Sequence, residues 1–224
     1  MCTVSYIPNN TGFVLTSNRD ENPGRNTQSP KEITLDSGEI LTAPIDEQNN
    51  GTWVAATNKN RVACLLNGAF IKHERSLPYR KSRGLIVLEA FNYSSFSAFI
   101  QEINLTKIEP FTLILAEKNM LQVMIWDGTQ KHHQLLDNNR SYLWSSSTLY
   151  SRDVHDNKLQ FFDTYIKEET IAPNTILEMH GLYSDNLFIL NRPQVKTVSI
   201  TQVIIDNNKN VTLNYNLKRE PVSA

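Results

Sequence analysis

The sequence predicts an α+β fold in which helices are layered on antiparallel sheets. Three observations carry that expectation. Short apolar segments rich in β-branched and aromatic residues dominate the first third of the chain and return at its end. Two stretches between them follow helical spacing instead. No internal repeat, low-complexity tract or linker divides the 224 residues, so positions 1–224 read as one domain near the upper edge of ordinary domain size.

The elements follow in chain order. Thr3-Val4-Ser5-Tyr6-Ile7 and Gly12-Phe13-Val14-Leu15-Thr16 read as a hairpin closed by Pro8-Asn9-Asn10. Residues 22–50 carry prolines at 23, 30 and 44 and little periodicity. They read as a loop with one short hairpin around Asp36-Ser37-Gly38. Thr52–Ala56 and Arg61–Leu66 form a second hairpin across Thr57–Asn60. From Ser82 to Glu102 the chain turns helical, with Leu85, Val87, Leu88 and Phe91 at helical spacing and a second short helix over Ser94–Ile103. Strands resume at Phe111–Leu115 and Leu121–Trp126 before an Asp127-Gly128 turn. Leu159, Phe162 and Ile166 mark a helix over Arg152–Lys167. Ile176–Met179 reads as a strand-like run, and Leu187–Leu190, Val195–Ile205 and Val211–Tyr215 as the final strands.

Composition narrows the function. The net charge of −1 gives no global basic field for nucleic acid or an anionic membrane. No apolar run approaches the roughly 18 residues needed to cross a bilayer. The N-terminal Met-Cys-Thr-Val-Ser-Tyr-Ile lacks the basic start and apolar stretch of a secretory signal, so a cytoplasmic location is expected. Two cysteines, Cys2 and Cys64, are too few for a disulfide framework or a cysteine-built zinc site. Cys64 sits within an apolar strand and reads as a small buried hydrophobe.

Cys2 is different. Removal of the initiator would expose a cysteine carrying both a thiol and a free α-amine. An α-amine with a pKa near 8 is partly unprotonated at neutral pH and can take the thiol proton, so nucleophile and general base come from one residue. The first hairpin folds Asn18-Arg19-Asp20-Glu21 back beside it. A guanidinium there lowers a thiol pKa, and a carboxylate orients an α-ammonium. Asn67 closes an apolar strand before Gly68, where its amide can donate to an oxyanion. Ile45–Trp53 enters a strand through Gly51 and brings Trp53 towards the same pocket.

Cys2, the Asn18-Arg19-Asp20-Glu21 tetrapeptide, Gly51-Thr52-Trp53 and Leu66-Asn67-Gly68 resemble the NRDE family, whose eukaryotic members include the transport-and-Golgi-organisation protein. Looser matches at Ser82-Arg83-Gly84, Trp144–Tyr150 and Thr197-Val198-Ser199 carry the resemblance from residue 2 to about 205. It implies the N-terminal nucleophile hydrolase fold, a four-layer αββα sandwich related to choloylglycine hydrolases and penicillin V acylases. Those relatives cleave amide C–N bonds outside peptide chains through an N-terminal cysteine. Carried over by position, Cys2 is similar to the nucleophile and Arg19 to the arginine after the second strand. Asp20 (or Glu21) corresponds to the carboxylate that holds the α-amine, and Asn67 to the oxyanion-hole asparagine. Asn18, Glu21 and Trp53 are supporting or substrate-contacting candidates. Two positions depart from the acylase pattern. A serine run offers Ser146 where acylases have a second asparagine, and Lys196 lies where they use a C-terminal arginine.

Other motifs carry less. The five histidines show no metal spacing, so His132-His133 read as turn residues and no metal is expected. His180, before Gly181, is a candidate for facing the pocket. The basic run Lys72–Arg83 contains only Tyr79 as an aromatic, which suits a loop that meets an anionic substrate group better than a nucleic-acid surface. Asn-x-Ser/Thr triplets such as Asn104-Leu105-Thr106 imply no glycan without a signal sequence. Two functions follow. The first is a hydrolase that opens a linear amide through a Cys2 thioester, acts on a small molecule and needs no cofactor. The second is a non-catalytic protein that binds or traffics haem or lipid in the same pocket, with cysteinate ligation available to haem iron. Oligomeric state has no sequence signature.

Overall fold

Period-two alternation in the first hairpin sets the layering of the computed structural model, which describes residues 3–9, 12–117, 119–167, 171–206, 208 and 210–218. β1 (Thr3–Asn9) and β2 (Gly12–Glu21) pair antiparallel from Val4–Ser17 to Asn9–Gly12. Successive strand side chains face opposite ways. Val4, Tyr6, Phe13 and Leu15 therefore enter one core, while Ile7 and Val14 enter another.

Two antiparallel sheets result. The first has the order β10–β1–β2–β11–β12, with β10 at Tyr142–Ser145, β11 at Lys196–Ile205 and β12 at Val211–Leu217. β11 shifts register against β2 between Thr197 and Ser199. The second sheet runs in sequence order through β3 (Thr27–Thr34), β4 (Ile40–Asp46), β5 (Val54–Thr57), β6 (Arg61–Asn67), β7 (Phe111–Glu117), β8 (Met120–Trp126) and β9 (Lys131–Leu136). Val54, Val62, Cys64, Leu66 and Ile114 on its inner face meet Val4 and Leu15 of the first sheet.

Helices cover both outer faces. α1 (Arg83–Glu89), a 3-10 turn over Ala90–Asn92 and α2 (Phe96–Glu102) bury Ile86, Phe91, Phe96 and Phe99 against Ala63, Leu65 and Leu113. Each such side chain contributes about 1.5–3 kcal/mol by leaving water. α3 (Arg152–Tyr165) and α4 (Pro173–Met179) bury Phe162, Ile176 and Met179 against Ile7 and Val14. Ser95 and Ser151 accept hydrogen bonds from the backbone N–H of Ala98 and Val154 and so start α2 and α3. Pro173 starts α4, where a missing N–H is harmless. The result is the expected α+β arrangement, a four-layer αββα sandwich.

Several expectations need correction. The 22–50 loop is mostly a long hairpin, β3–β4, around the Asp36–Gly38 turn. Strand β3 tolerates its polar sequence and Pro30 because it is an edge strand. Ile176–Met179 is the end of α4, and Leu187–Leu190 forms no strand. In α3, Lys158 rather than Leu159 turns inward with Phe162. Cys64 is wholly buried in the inter-sheet core, as its surroundings require. Cys2 lies outside the described residues.

Candidate active site

The alternation that layers the fold also divides the Asn18–Glu21 tetrapeptide. Arg19 and Glu21 face the second sheet and line a cavity of about 440 Å³. Asn18 and Asp20 face the helical layer of α3 and α4. Four consecutive residues thus serve two compartments.

On the cavity side, Arg19 is almost fully buried. Its Nη2 donates to Asp46 Oδ2 at 2.6 Å, Nη1 donates to the Arg25 carbonyl at 3.3 Å, and the guanidinium lies 4.5 Å from the Trp53 ring centroid. Arg25 adds two hydrogen bonds to Asp46, from Nε at 2.7 Å and Nη2 at 3.0 Å. Burial pushes the Asp46 carboxyl up, but the Arg25 hydrogen bonds and the charges of Arg25 and Arg19 outweigh it and leave it below the usual carboxylate range. The same carboxylate caps the Asp46–Gly51 turn by accepting from the Asn49 N–H at 3.1 Å. That turn delivers Gly51, whose added Cβ would sit 2.6 Å from the Gly84 carbonyl carbon, so α1 starts hard against the cavity wall.

Asn67 ends β6 at the cavity, and its backbone carbonyl accepts from the Ser146 hydroxyl at 2.7 Å. Its Oδ1 is buried without a partner among the described residues. Ser146 also meets Thr148 at 2.9 Å and is not among the cavity-lining residues. Its hydroxyl steadies the Asn67 backbone from behind. The opposite wall comes from the 68–82 loop. Arg75 and Arg83 both pair with Glu109, at 3.4 and 3.2 Å, and His73 adds a contact at 3.3 Å. Burial lowers Arg83 to about 10, against the pull of Glu109. Leu65, Leu77 and Pro78 supply apolar lining.

A family model described as Transport and Golgi organisation 2 matches residues 1–216. The chain belongs to that family. Among solved structures, the fold is similar to a C2A mutant of conjugated bile acid hydrolase from Clostridium perfringens. That likeness has a TM-score of 0.64 at 10% identity and covers 97% of this chain and 92% of the other. It is also similar to the Caenorhabditis elegans ortholog of N-acylethanolamine-hydrolyzing acid amidase. There the TM-score is 0.62 at 12% identity, with 95% and 100% covered. These likenesses establish the N-terminal nucleophile hydrolase fold for this member of the Transport and Golgi organisation 2 family. No curated protein matches the sequence.

On the other side of β2, Asp20 accepts hydrogen bonds from Tyr150 Oη and Thr197 Oγ1, both at 2.6 Å. Asn18 donates to the carbonyls of His180 and Phe188 at 3.0 and 3.1 Å. His180 is fully buried between Asn18 Oδ1 and Ser5 Oγ and does not line the cavity. Burial first, and the nearby Lys158 charge second, depress it to about 3, so it is neutral at pH 7. Lys196 pairs in register with Glu21 at the start of β11. The structure therefore gathers Arg19, Glu21, Trp53 and Asn67 at the cavity and sets Asn18 and Asp20 behind it. Sequence reading missed Arg25, Lys158, Tyr150 and Glu109. The Leu159, Phe162, Ile166 spacing on α3 carries no sign of Lys158, which shares the inward face with Phe162.

Proposed function

We propose that this protein is an N-terminal cysteine hydrolase that opens a linear amide C–N bond of a small molecule, with residues 1–224 forming one catalytic domain in the cytoplasm. The observation that carries the reading is the buried Arg19–Asp46 pair on the same cavity as Asn67. Thr3, the chain neighbour of Cys2, opens the strand that pairs with the one bearing Arg19. The fold is shared with two proteins named for hydrolysis, one a conjugated bile acid hydrolase and the other an acid amidase. The first was solved as a C2A mutant, so its unmutated form has a cysteine at position 2.

In this mechanism the Cys2 thiolate attacks the amide carbonyl after its proton passes to the α-amine. The Asn67 amide and backbone N–H groups stabilise the oxyanion. The α-ammonium then protonates the leaving nitrogen, and a water deprotonated by the amine cleaves the thioester. Arg19 favours the thiolate, Asp20 orients the amine, and Trp53 and Glu21 border the substrate. The chemistry uses no metal or organic cofactor. Among the described residues no helix is long and apolar enough to cross a membrane.

Intact mass tests the premise, because a retained Met1 blocks the α-amine. With Met1 absent, a cysteine-directed amide or acyl-lactone probe labels wild type and not Cys2→Ser. Equal labelling of both overturns the reading. The apolar lining by Trp53, Leu65, Leu77 and Pro78 favours a second reading, non-catalytic binding of haem or lipid. Saturable haem or lipid binding without amide turnover would support it.

A further inference from the structure

We propose that the 68–82 loop docks the protein onto the surface of an anionic lipid bilayer; the proposal concerns where the protein sits and stands whether or not it cleaves an amide. Phe70, Ile71 and Leu77 leave 59%, 77% and 69% of their surface in water, three large apolar residues within eight positions. Single apolar residues scattered over a surface are ordinary, whereas several gathered on one short loop mark a contact surface. Leu77, with Pro78 and Tyr79, also lines the cavity. The loop that exposes these residues is therefore a wall of the candidate site.

The exposure does not come from a loose loop. Backbone hydrogen bonds tie its start, Gly68, to Pro110 at 3.0 Å and its end, Arg80, to Lys107 at 2.8 Å. Between them the Ser76 N–H donates to Tyr79 Oη at 2.8 Å, and His73 and Arg75 meet Glu109. Phe70 rests edge-on against His132 with 5.0 Å between ring centroids, and most of its surface still faces water. Polar groups thus make the anchoring contacts, and the apolar side chains are the ones left outside. Charge selects the occupant. Lys72, Arg75, Arg80 and the neighbouring Lys107 are exposed, and Glu74 is the one exposed acid among residues 68–82. Arg80 donates to the carbonyls of Asn104 and Thr106, which leave its charge in place. This is a local excess in a chain whose net charge is −1. A bilayer with acidic headgroups meets both features: apolar side chains enter the interface, and each Lys or Arg near the surface raises affinity about fivefold. A second copy seated on the same loop would set these cations against their own counterparts, which opposes self-association.

The test is flotation of the full chain with vesicles of phosphatidylcholine alone and of equimolar phosphatidylcholine and phosphatidylserine. Wild type floats with the mixed vesicles, and added salt releases it. Phe70→Ser with Ile71→Ser, both outside the cavity lining, raises the half-saturating lipid concentration at least about tenfold. Lys72→Glu raises it by about the same factor, since it removes one attractive charge and adds a repulsive one. Leu187→Ser, at a comparably exposed apolar residue after α4, leaves it unchanged. Absence of wild-type flotation overturns the proposal, as does equal binding to both vesicles. Undiminished binding by the Phe70→Ser, Ile71→Ser protein also overturns it. A dimer in sedimentation that this double variant abolishes, without flotation of wild type, overturns it in favour of a second copy. If the double variant does not fold, Ile71→Ser and Lys72→Glu decide, and wild-type binding by both overturns the proposal.

Discussion

Arg19 and Asp46 form an ion pair at 2.6 Å with side chains only 2% and 9% exposed, joining the two sheets beneath the cavity. Buried pairs contribute little beyond a well-packed apolar pair, yet breaking one strands a charge. Asp46→Ala is expected to lower stability by about 3–5 kcal/mol. Asp46→Asn, which keeps the Asn49 acceptor, should lower it less. Urea unfolding of both variants measures the difference, and an unchanged midpoint in Asp46→Ala would show that Arg25 and Glu21 suffice to hold the site.

Asn67→Ala removes the amide assigned to the oxyanion. Its kcat on a cleaved amide should fall by about 10²–10³-fold with little change in melting temperature. Ser146→Ala acts on the Asn67 backbone instead and should cost about 1 kcal/mol of stability. Its effect on kcat should be correspondingly smaller. Steady-state kinetics beside calorimetry separates the two, and equal losses of kcat would contradict the assignment.

His180 gives the stability curve an acid limb. Its folded value near 3 lies below the unfolded value of about 6.5. The unfolded state therefore takes up the proton first as pH falls. This stabilising term is fully present above about pH 6.5 and is lost progressively down to about pH 3, at up to about 1.4 kcal/mol per pH unit. Denaturation midpoints at pH 7.5, 6.0 and 5.0 should show the slope, and His180→Gln should flatten it. A slope that persists unchanged in the variant assigns it to other groups.

Gly68 takes a positive φ of 86°, and a Cβ added there would lie 2.4 Å from Ser147 Oγ and 2.8 Å from Thr148 Cγ2. Gly68→Ala must displace the serine run that braces Asn67. Both stability and amide turnover are expected to fall, the first by at least about 1 kcal/mol from backbone strain. A fully active, fully stable Gly68→Ala protein would show that the serine run moves freely.

The sequence was most legible where burial enforces a pattern. The β1–β2 and β5–β6 hairpins, the β7–β8 pair and the start of α1 all carry apolar residues that the cores require. Strands β9 and β10 were not visible and the β3–β4 hairpin read shorter than it is; β3, β9 and β10 are each a sheet edge. An edge strand needs neither a buried face nor an unbroken ladder, which is why Pro30 sits in β3 beside a register shift and Lys131–Leu136 reads as polar. In the site, Arg19 and Asn67 each stand near the end of an apolar strand, β2 in one sheet and β6 in the other, and both reach the cavity. The division of the tetrapeptide between two faces depends on pairing register, which spacing along one strand does not reveal. Asp46, Arg25 and Lys158 reach their partners across elements distant in sequence, so no local pattern announces them.

The alternation along β2 makes the site sensitive to the frame of the strand as well as to its residues. A slip of β2 by one position against β1 and β11 would exchange the two sides. Arg19 would then meet the helical layer, and Asn18 or Asp20 would meet the cavity, while the chain still spelled the same four residues. An insertion or deletion that shifts that pairing is therefore equivalent to replacing all four at once. Intact motif letters on a displaced strand would mark a protein that keeps the signature and loses the chemistry.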